Sequence, residues 1–60
     1  MTYDLLIIFQ DGKEKVVTNV SDHGYSKTEG TYFWFEKNGD LSYLPSENIV
    51  FFGRERDWNN

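Results

Sequence analysis

Hydrophobic residues in this chain occur in short runs that alternate with polar residues, and glycine, asparagine or proline separates one run from the next. Runs of four to eight residues rich in β-branched and aromatic side chains predict β-strands. No segment repeats apolar residues at helical spacing over two turns, so we predict no α-helix. The pattern predicts five strands, over residues 3–10, 13–20, 31–36, 41–44 and 48–52.

The connections are predicted from their turn residues. Asp11-Gly12 and Asn38-Gly39 are typical of two-residue hairpin loops, because both central residues of a type I′ turn need positive φ. Residues 21–30 are polar and predict a loop. Residues 45–48 predict a single 3₁₀ turn between the fourth and fifth strands. Gly53 permits a bulge, and the charged residues 54–60 either extend the last strand or leave it.

The order of these elements resembles a small SH3-like barrel, in which a 3₁₀ turn links the fourth and fifth strands and the fifth pairs back toward the first. We therefore expect one all-β domain over residues 1–60, a five-stranded antiparallel SH3-like barrel. The peptide-binding SH3 family itself is a poor match. Its ALYDY-like segment and the tryptophan pair of its groove are missing, so no proline-peptide residues carry over.

A second resemblance comes from three short segments, residues 8–12 (IFQDG), 19–20 (NV) and 44–49 (LPSENI). Their layout is similar to that of small all-β accessory proteins of Gram-positive phages and mobile elements. This resemblance implies a protein that acts on a host or phage macromolecule in the host cytoplasm. It does not imply a metabolic enzyme.

Length and composition raise a question of stability. The chain has 60 residues and no cysteine, yet it carries two Trp, four Tyr and five Phe. A domain of this size buries only about 60% of its unfolded surface, so natural examples commonly add disulfides, a metal or a second subunit. No disulfide is possible, and no apolar run has the roughly 18 residues of a membrane-spanning helix. We expect a cytoplasmic homodimer that does not insert into a membrane.

Three of the predicted strands are apolar on both faces. One interpretation is a closed barrel whose outer face is partly covered by loops. The other is an interface, because a large exposed apolar patch is rare on soluble monomers. We assign Leu5, Ile7, Phe9, Phe33, Phe35 and Phe51 to the core. The predicted interface for a partner or for a second copy comprises Leu6, Ile8, Tyr32, Trp34, Phe52, Arg54, Arg56 and Trp58. The last three lie in a tail that is either a contact edge or a frayed terminus.

Candidate chemistry for an enzyme is sparse. The only histidine, His23, falls in the predicted loop, and we interpret it as an exposed turn residue. Its neighbour Asp22 is poorly placed to orient the imidazole as a triad acid does. Without cysteine and with one histidine, a zinc site would need mostly carboxylate ligands. We predict a non-enzymatic protein with no catalytic residues, no metal site and no cofactor.

The charge pattern ranks the remaining functions. The chain has 6 basic and 10 acidic residues and a net charge of −4. Phosphate contacts need a basic groove, so a single-stranded nucleic-acid binder that stacks bases on Tyr32 and Trp34 is disfavoured but stays open. An acidic surface suits a basic protein cleft, and whether the carboxylates cluster as a nucleic-acid mimic is left open. The leading prediction is a protein-binding inhibitor or accessory factor that occludes a host protein. A purely structural homo-oligomer subunit is the other alternative.

Overall fold

A computed structural model of the protein describes residues 1–27 and 32–58 and shows five antiparallel strands. Their sheet order is β4-β3-β2-β1-β5. The prediction of an all-β, five-stranded antiparallel fold is confirmed. In the described part of the chain, no helix is long and apolar enough to cross a membrane. The elements are β1 (Tyr3–Phe9), β2 (Glu14–Ser26), β3 (Tyr32–Lys37), β4 (Asp40–Pro45), β5 (Ile49–Arg54) and a 3₁₀ helix (Glu55–Asp57).

The sheet curls but does not close into the expected barrel. β5 pairs with β1 as predicted, but β4 and β5 remain the two edges of one open sheet. The long strand β2 belongs to both halves of the curl. The β1–β2 register shifts between Tyr3 and Leu5, close to Asn19, whose φ is 59°. Such bulges bend a strand and increase its twist. On the concave face Phe33 stacks against Phe52 with ring centroids 4.5 Å apart, and this contact joins the two halves.

The two hairpins turn differently. The type I′ turn at Asn38-Gly39 is confirmed, since both residues have positive φ, 53° and 84°. The two-residue turn predicted at Asp11-Gly12 is wrong, because Phe9 N–H donates to the Lys13 carbonyl at 2.9 Å across three intervening residues. Only Gly12 of these three has positive φ, at 92°. The Asp11 carboxylate accepts the Lys13 N–H at 3.0 Å and so favours the longer loop.

The loop predicted over residues 21–30 is wrong for its first six residues. Ser21–Ser26 continue β2, and the β2–β3 register shifts between Val20 and Asp22. The polar residues of this segment pair with β3, which carries the large apolar side chains of this part of the sheet, such as Trp34 opposite Gly24. The predicted loop residues 28–30, the predicted strand residue Thr31 and the tail residues Asn59 and Asn60 lie outside the described residues.

The connection between β4 and β5 is a β-turn and not the predicted 3₁₀ turn. Ile49 N–H donates to the Ser46 carbonyl at 3.3 Å, and Asn48 has a φ of 68°. A left-handed residue cannot continue a right-handed 3₁₀ helix, so the chain turns directly into β5. The 3₁₀ helix follows β5 instead, at Glu55–Asp57.

The core lies in the concave face around Leu5, Ile7 and Val20, which are fully buried. The assignments of Leu5, Ile7, Phe9 and Phe35 to this face are confirmed. The surrounding partly buried side chains are Tyr3, Phe9, Val17, Phe35, Leu44, Ile49 and Phe52.

The assignment of Phe51 to the core and of Phe52 to the outer face is wrong. The β1–β5 register shifts at Val50, so Ile49 pairs with Phe9, Phe51 with Ile8 and Phe52 with Ile7. An extra residue in one strand reverses the alternation of side chains beyond it.

Candidate functional site

The convex side of strands β3 and β4 carries a cluster of large side chains that we call the aromatic face. It consists of Tyr32, Trp34, Leu41 and Tyr43. In the antiparallel register Trp34 lies directly opposite Tyr43, and Leu41 lies opposite Glu36. Directly opposed residues share a face of the sheet. Tyr43 is 61% exposed and Leu41 56% exposed, so these two side chains stand out from the sheet toward solvent.

Trp34 is held in place by a glycine on the neighbouring strand. Its indole lies over Gly24, so close that a Cβ added there would be 2.6 Å from Cζ2. Any residue other than glycine at position 24 would force the indole of Trp34 to move. On the same face, the Tyr32 and Tyr43 rings meet edge to face with centroids 6.4 Å apart. These contacts restrict the positions that the side chains of the aromatic face can take.

The margin of the aromatic face is acidic. Asp22 and Glu36 are directly opposed on β2 and β3, next to Trp34 and Leu41. Like charges directly opposite each other destabilise a sheet. The neighbouring cation Lys37 does not neutralise them, because its ammonium donates to the Thr18 carbonyl and contacts the Thr18 hydroxyl at 3.4 Å. The convex surface thus combines exposed apolar area with negative charge at its margin.

The structure divides the predicted interface residues among several places. Tyr32 and Trp34 lie together on the convex face as expected. Leu6 and Ile8 are only 4% and 8% exposed, so they are not available to a partner in the monomer. Phe52 points into the concave core, as described above.

The predicted tail residues do not share one side, because the strand ends at Arg54. The Arg54 guanidinium lies over the Tyr3 ring, 4.5 Å from its centroid. Arg56 is exposed, with Nε 3.9 Å from the Asp57 carboxylate. Trp58 folds back against Phe51, with ring centroids 4.9 Å apart. The 3₁₀ helix between Arg54 and Trp58 breaks the alternation on which the prediction rested.

Two members of the aromatic face, Leu41 and Tyr43, were missed. The signal was present, because a type I′ loop at Asn38-Gly39 pairs Lys37 with Asp40. Counting outward from that pair places Leu41 opposite Glu36 and Tyr43 opposite Trp34.

A second cluster joins the halves of the sheet at the end of the concave face. His23 is half-buried in β2 and not an exposed loop residue, because the strand continues through it. Its Nδ1 shares a hydrogen bond of 2.5 Å with the Tyr3 hydroxyl, and its ring meets Phe52 edge to face at 5.9 Å. Burial and the nearby Asp22 carboxylate raise the pKa of Tyr3, and Arg54 opposes this rise.

No family model matches the sequence, and neither a curated protein nor a solved structure matches it. The geometry of the chain itself therefore carries the functional proposal.

Proposed function

We propose that this protein is a non-enzymatic protein-binding module that docks through its aromatic face onto a basic surface of a larger protein. The observation that carries the proposal is the exposure of Leu41 and Tyr43 beside Trp34, on a face whose margin holds Asp22 and Glu36. Tyrosine and tryptophan supply much of the energy at protein interfaces, and opposite charges at the margin direct the encounter. Docking would act by occlusion of the partner's surface.

The identity of the partner is proposed from charge. A partner with lysine or arginine around an apolar depression would relieve the repulsion between Asp22 and Glu36. The same features disfavour the alternative of a single-stranded nucleic-acid binder, because stacking on Trp34 and Tyr43 would bring phosphates close to the two carboxylates. A host protein bound by a phage or mobile-element factor remains the specific form of this proposal.

The test compares two pairs of exposed apolar residues. The double variant Leu41→Ser, Tyr43→Ser removes the aromatic face. The control, Val16→Ser with Val50→Ser, removes side chains of similar exposure, 46% and 57%, outside that face. Each immobilised variant is challenged with host extract and with a single-stranded oligothymidine.

The proposal expects one defined protein to be retained by the wild type and by the control, and lost from the Leu41→Ser, Tyr43→Ser variant. That protein should carry a basic binding surface, and Glu36→Gln should weaken its binding and reduce the dependence on salt. Equal retention by both double variants would refute the assignment of the face. Salt-sensitive retention of oligothymidine that Trp34→Ala abolishes would replace the proposal with the nucleic-acid alternative.

A further inference from the structure

The edge of the sheet beside the aromatic face has unpaired backbone groups. β4 pairs with β3 along an unbroken register, and Lys37 pairs with Asp40 next to the type I′ turn. Hydrogen-bonded and non-hydrogen-bonded pairs alternate along an antiparallel ladder, and a two-residue loop is flanked by a bonded pair. Asp40, Ser42 and Leu44 therefore bond to β3. The N–H and C=O groups of Leu41 and Tyr43 point away from it, and none of the described residues pairs with that outer edge.

Within residues 1–27 and 32–58, the middle of this edge, Leu41 to Leu44, lacks the features by which proteins usually block strand addition. Such features are charged side chains, proline, bulges, very short strands or a covering segment. β4 has one charged residue, Asp40, at its start, and one proline, Pro45, at its end. The opposite edge, β5, carries a register shift at Val50 and ends in Arg54 and a charged 3₁₀ helix. The two edges thus differ, and β4 is the one suited to pairing.

We infer that β4 pairs antiparallel with β4 of a second copy of this chain, about a two-fold axis at Ser42. In this register Leu41 of each copy is opposite Tyr43 of the other. Both residues direct their N–H and C=O groups outward, so their backbone groups bond reciprocally, as an isologous two-fold contact requires. Asp40 of each copy faces Leu44 of the other, and no like charges are directly opposed.

This pairing deepens the proposed function, and it rests on that proposal only in giving the aromatic face a binding role. It places Leu41 and Tyr43 of both copies side by side on one convex surface, so that the partner copy completes the aromatic face. A second copy also adds stability to a small domain, in whose described part five hydrophobic side chains are buried. The net charge of −4 on each copy opposes association, and this repulsion is screened by salt.

The test uses the full chain, which is short enough for chemical synthesis. N-methylation of Tyr43 removes one outward N–H from the proposed contact and leaves the β3–β4 bonds intact. N-methylation of Val50 is the control, because Val50 lies on the opposite edge strand and the β1–β5 register pairs no residue with it. Mass is measured by analytical ultracentrifugation over a range of concentrations and at two salt concentrations. Amide exchange at Leu41 and Tyr43 is followed by NMR.

The inference expects a dimer whose Leu41 and Tyr43 amides become protected as concentration rises. N-methyl-Tyr43 should raise the dissociation constant about tenfold or more, since each copy loses a hydrogen bond, and N-methyl-Val50 should leave it unchanged. A wild-type mass that stays monomeric overturns the inference, as does a dimer that N-methyl-Tyr43 does not weaken. Either of these outcomes leaves the proposed function standing if the Leu41→Ser, Tyr43→Ser variant still loses its partner. If the wild type dimerises as expected but the Leu41→Ser, Tyr43→Ser variant still retains the same partner, the proposed function alone is overturned.

Discussion

The contact between Gly24 and Trp34 allows a test of how the aromatic face is held. In Gly24→Ala the new Cβ would lie 2.6, 2.7 and 2.8 Å from Cζ2, Cε2 and Nε1 of Trp34. Real Cβ contacts are not this short, and the indole is a rigid ring, so Trp34 must move away from β2. Overpacking of this kind costs about 1–3 kcal/mol. Replacing glycine by alanine also restricts the unfolded chain and returns about 0.4–1 kcal/mol.

The expected net effect is a loss of about 1–2 kcal/mol in the free energy of unfolding, which is the cost of overpacking reduced by the gain from the unfolded chain. For a domain of this size, that loss lowers Tm by roughly 4–8 °C for each kcal/mol. The assay is urea unfolding followed by circular dichroism. Fluorescence is recorded in a Trp58→Phe background, where Trp34 is the only tryptophan and reports its own displacement.

A double-mutant cycle separates the steric effect from any general cost of alanine at this position. When Trp34→Val removes the ring, Gly24→Ala should become neutral or slightly stabilising, because only the effect on the unfolded chain remains. The reasoning is refuted if Gly24→Ala is as stable as the wild type with unchanged Trp34 emission. It is also refuted if the substitution costs the same free energy with and without the indole.

Three further predictions concern the core, a titrating group and a turn. Phe52→Leu should lower the free energy of unfolding by about 1–2 kcal/mol, because it removes the stacking against Phe33 on the concave face. In the same urea titration the control Val50→Ala, at an exposed position, should change it by less than about 0.5 kcal/mol. The folded-state pKa of Tyr3 is raised above 10.0, so its contribution to stability is complete below pH 10.0 and declines as pH rises through the folded pKa. Tyr3→Phe should remove this alkaline decline. A stability profile between pH 9 and 12 that Tyr3→Phe leaves unaltered would contradict the direction of the pKa shift. Asn48→Ala should cost about 1 kcal/mol, because alanine is disfavoured at a φ of 68°; thermal unfolding is the measurement, and a matching loss in Glu47→Ala would show that φ is not the cause.

Local sequence patterns were sufficient for much of the fold. Strand positions β1, β3 and β4 follow from alternation and composition. The turn at Asn38-Gly39 follows from two residues that tolerate positive φ. The same turn also sets the register of β3 against β4, and so places Leu41 and Tyr43 beside Trp34 and Glu36. Half of the aromatic face was predicted, and the other half was within reach of the same counting.

The errors share a cause, which is that they depend on contacts between segments distant in the sequence. The polar residues 21–26 were predicted to form a loop, yet β3 pairs with them. Among them Gly24 leaves the space that the Trp34 indole of β3 occupies. Phe51 and Phe52 lie on the faces opposite to those predicted, because one extra residue at Val50 shifts the pairing with β1. A bulge leaves little trace in local composition, and it reverses every side chain beyond it.

Composition, alternation and turn residues are enough to predict an all-β class, five strands and more aromatic side chains than a small core needs. Which of these side chains are exposed follows only from the folded sheet, because exposure depends on the curl of the sheet and on the bulges that produce it. The folded sheet is also open, with β4 and β5 as its edges. An open sheet has edges, and an edge with unpaired backbone groups beside an exposed aromatic face is a property of the assembled strands and not of any one of them.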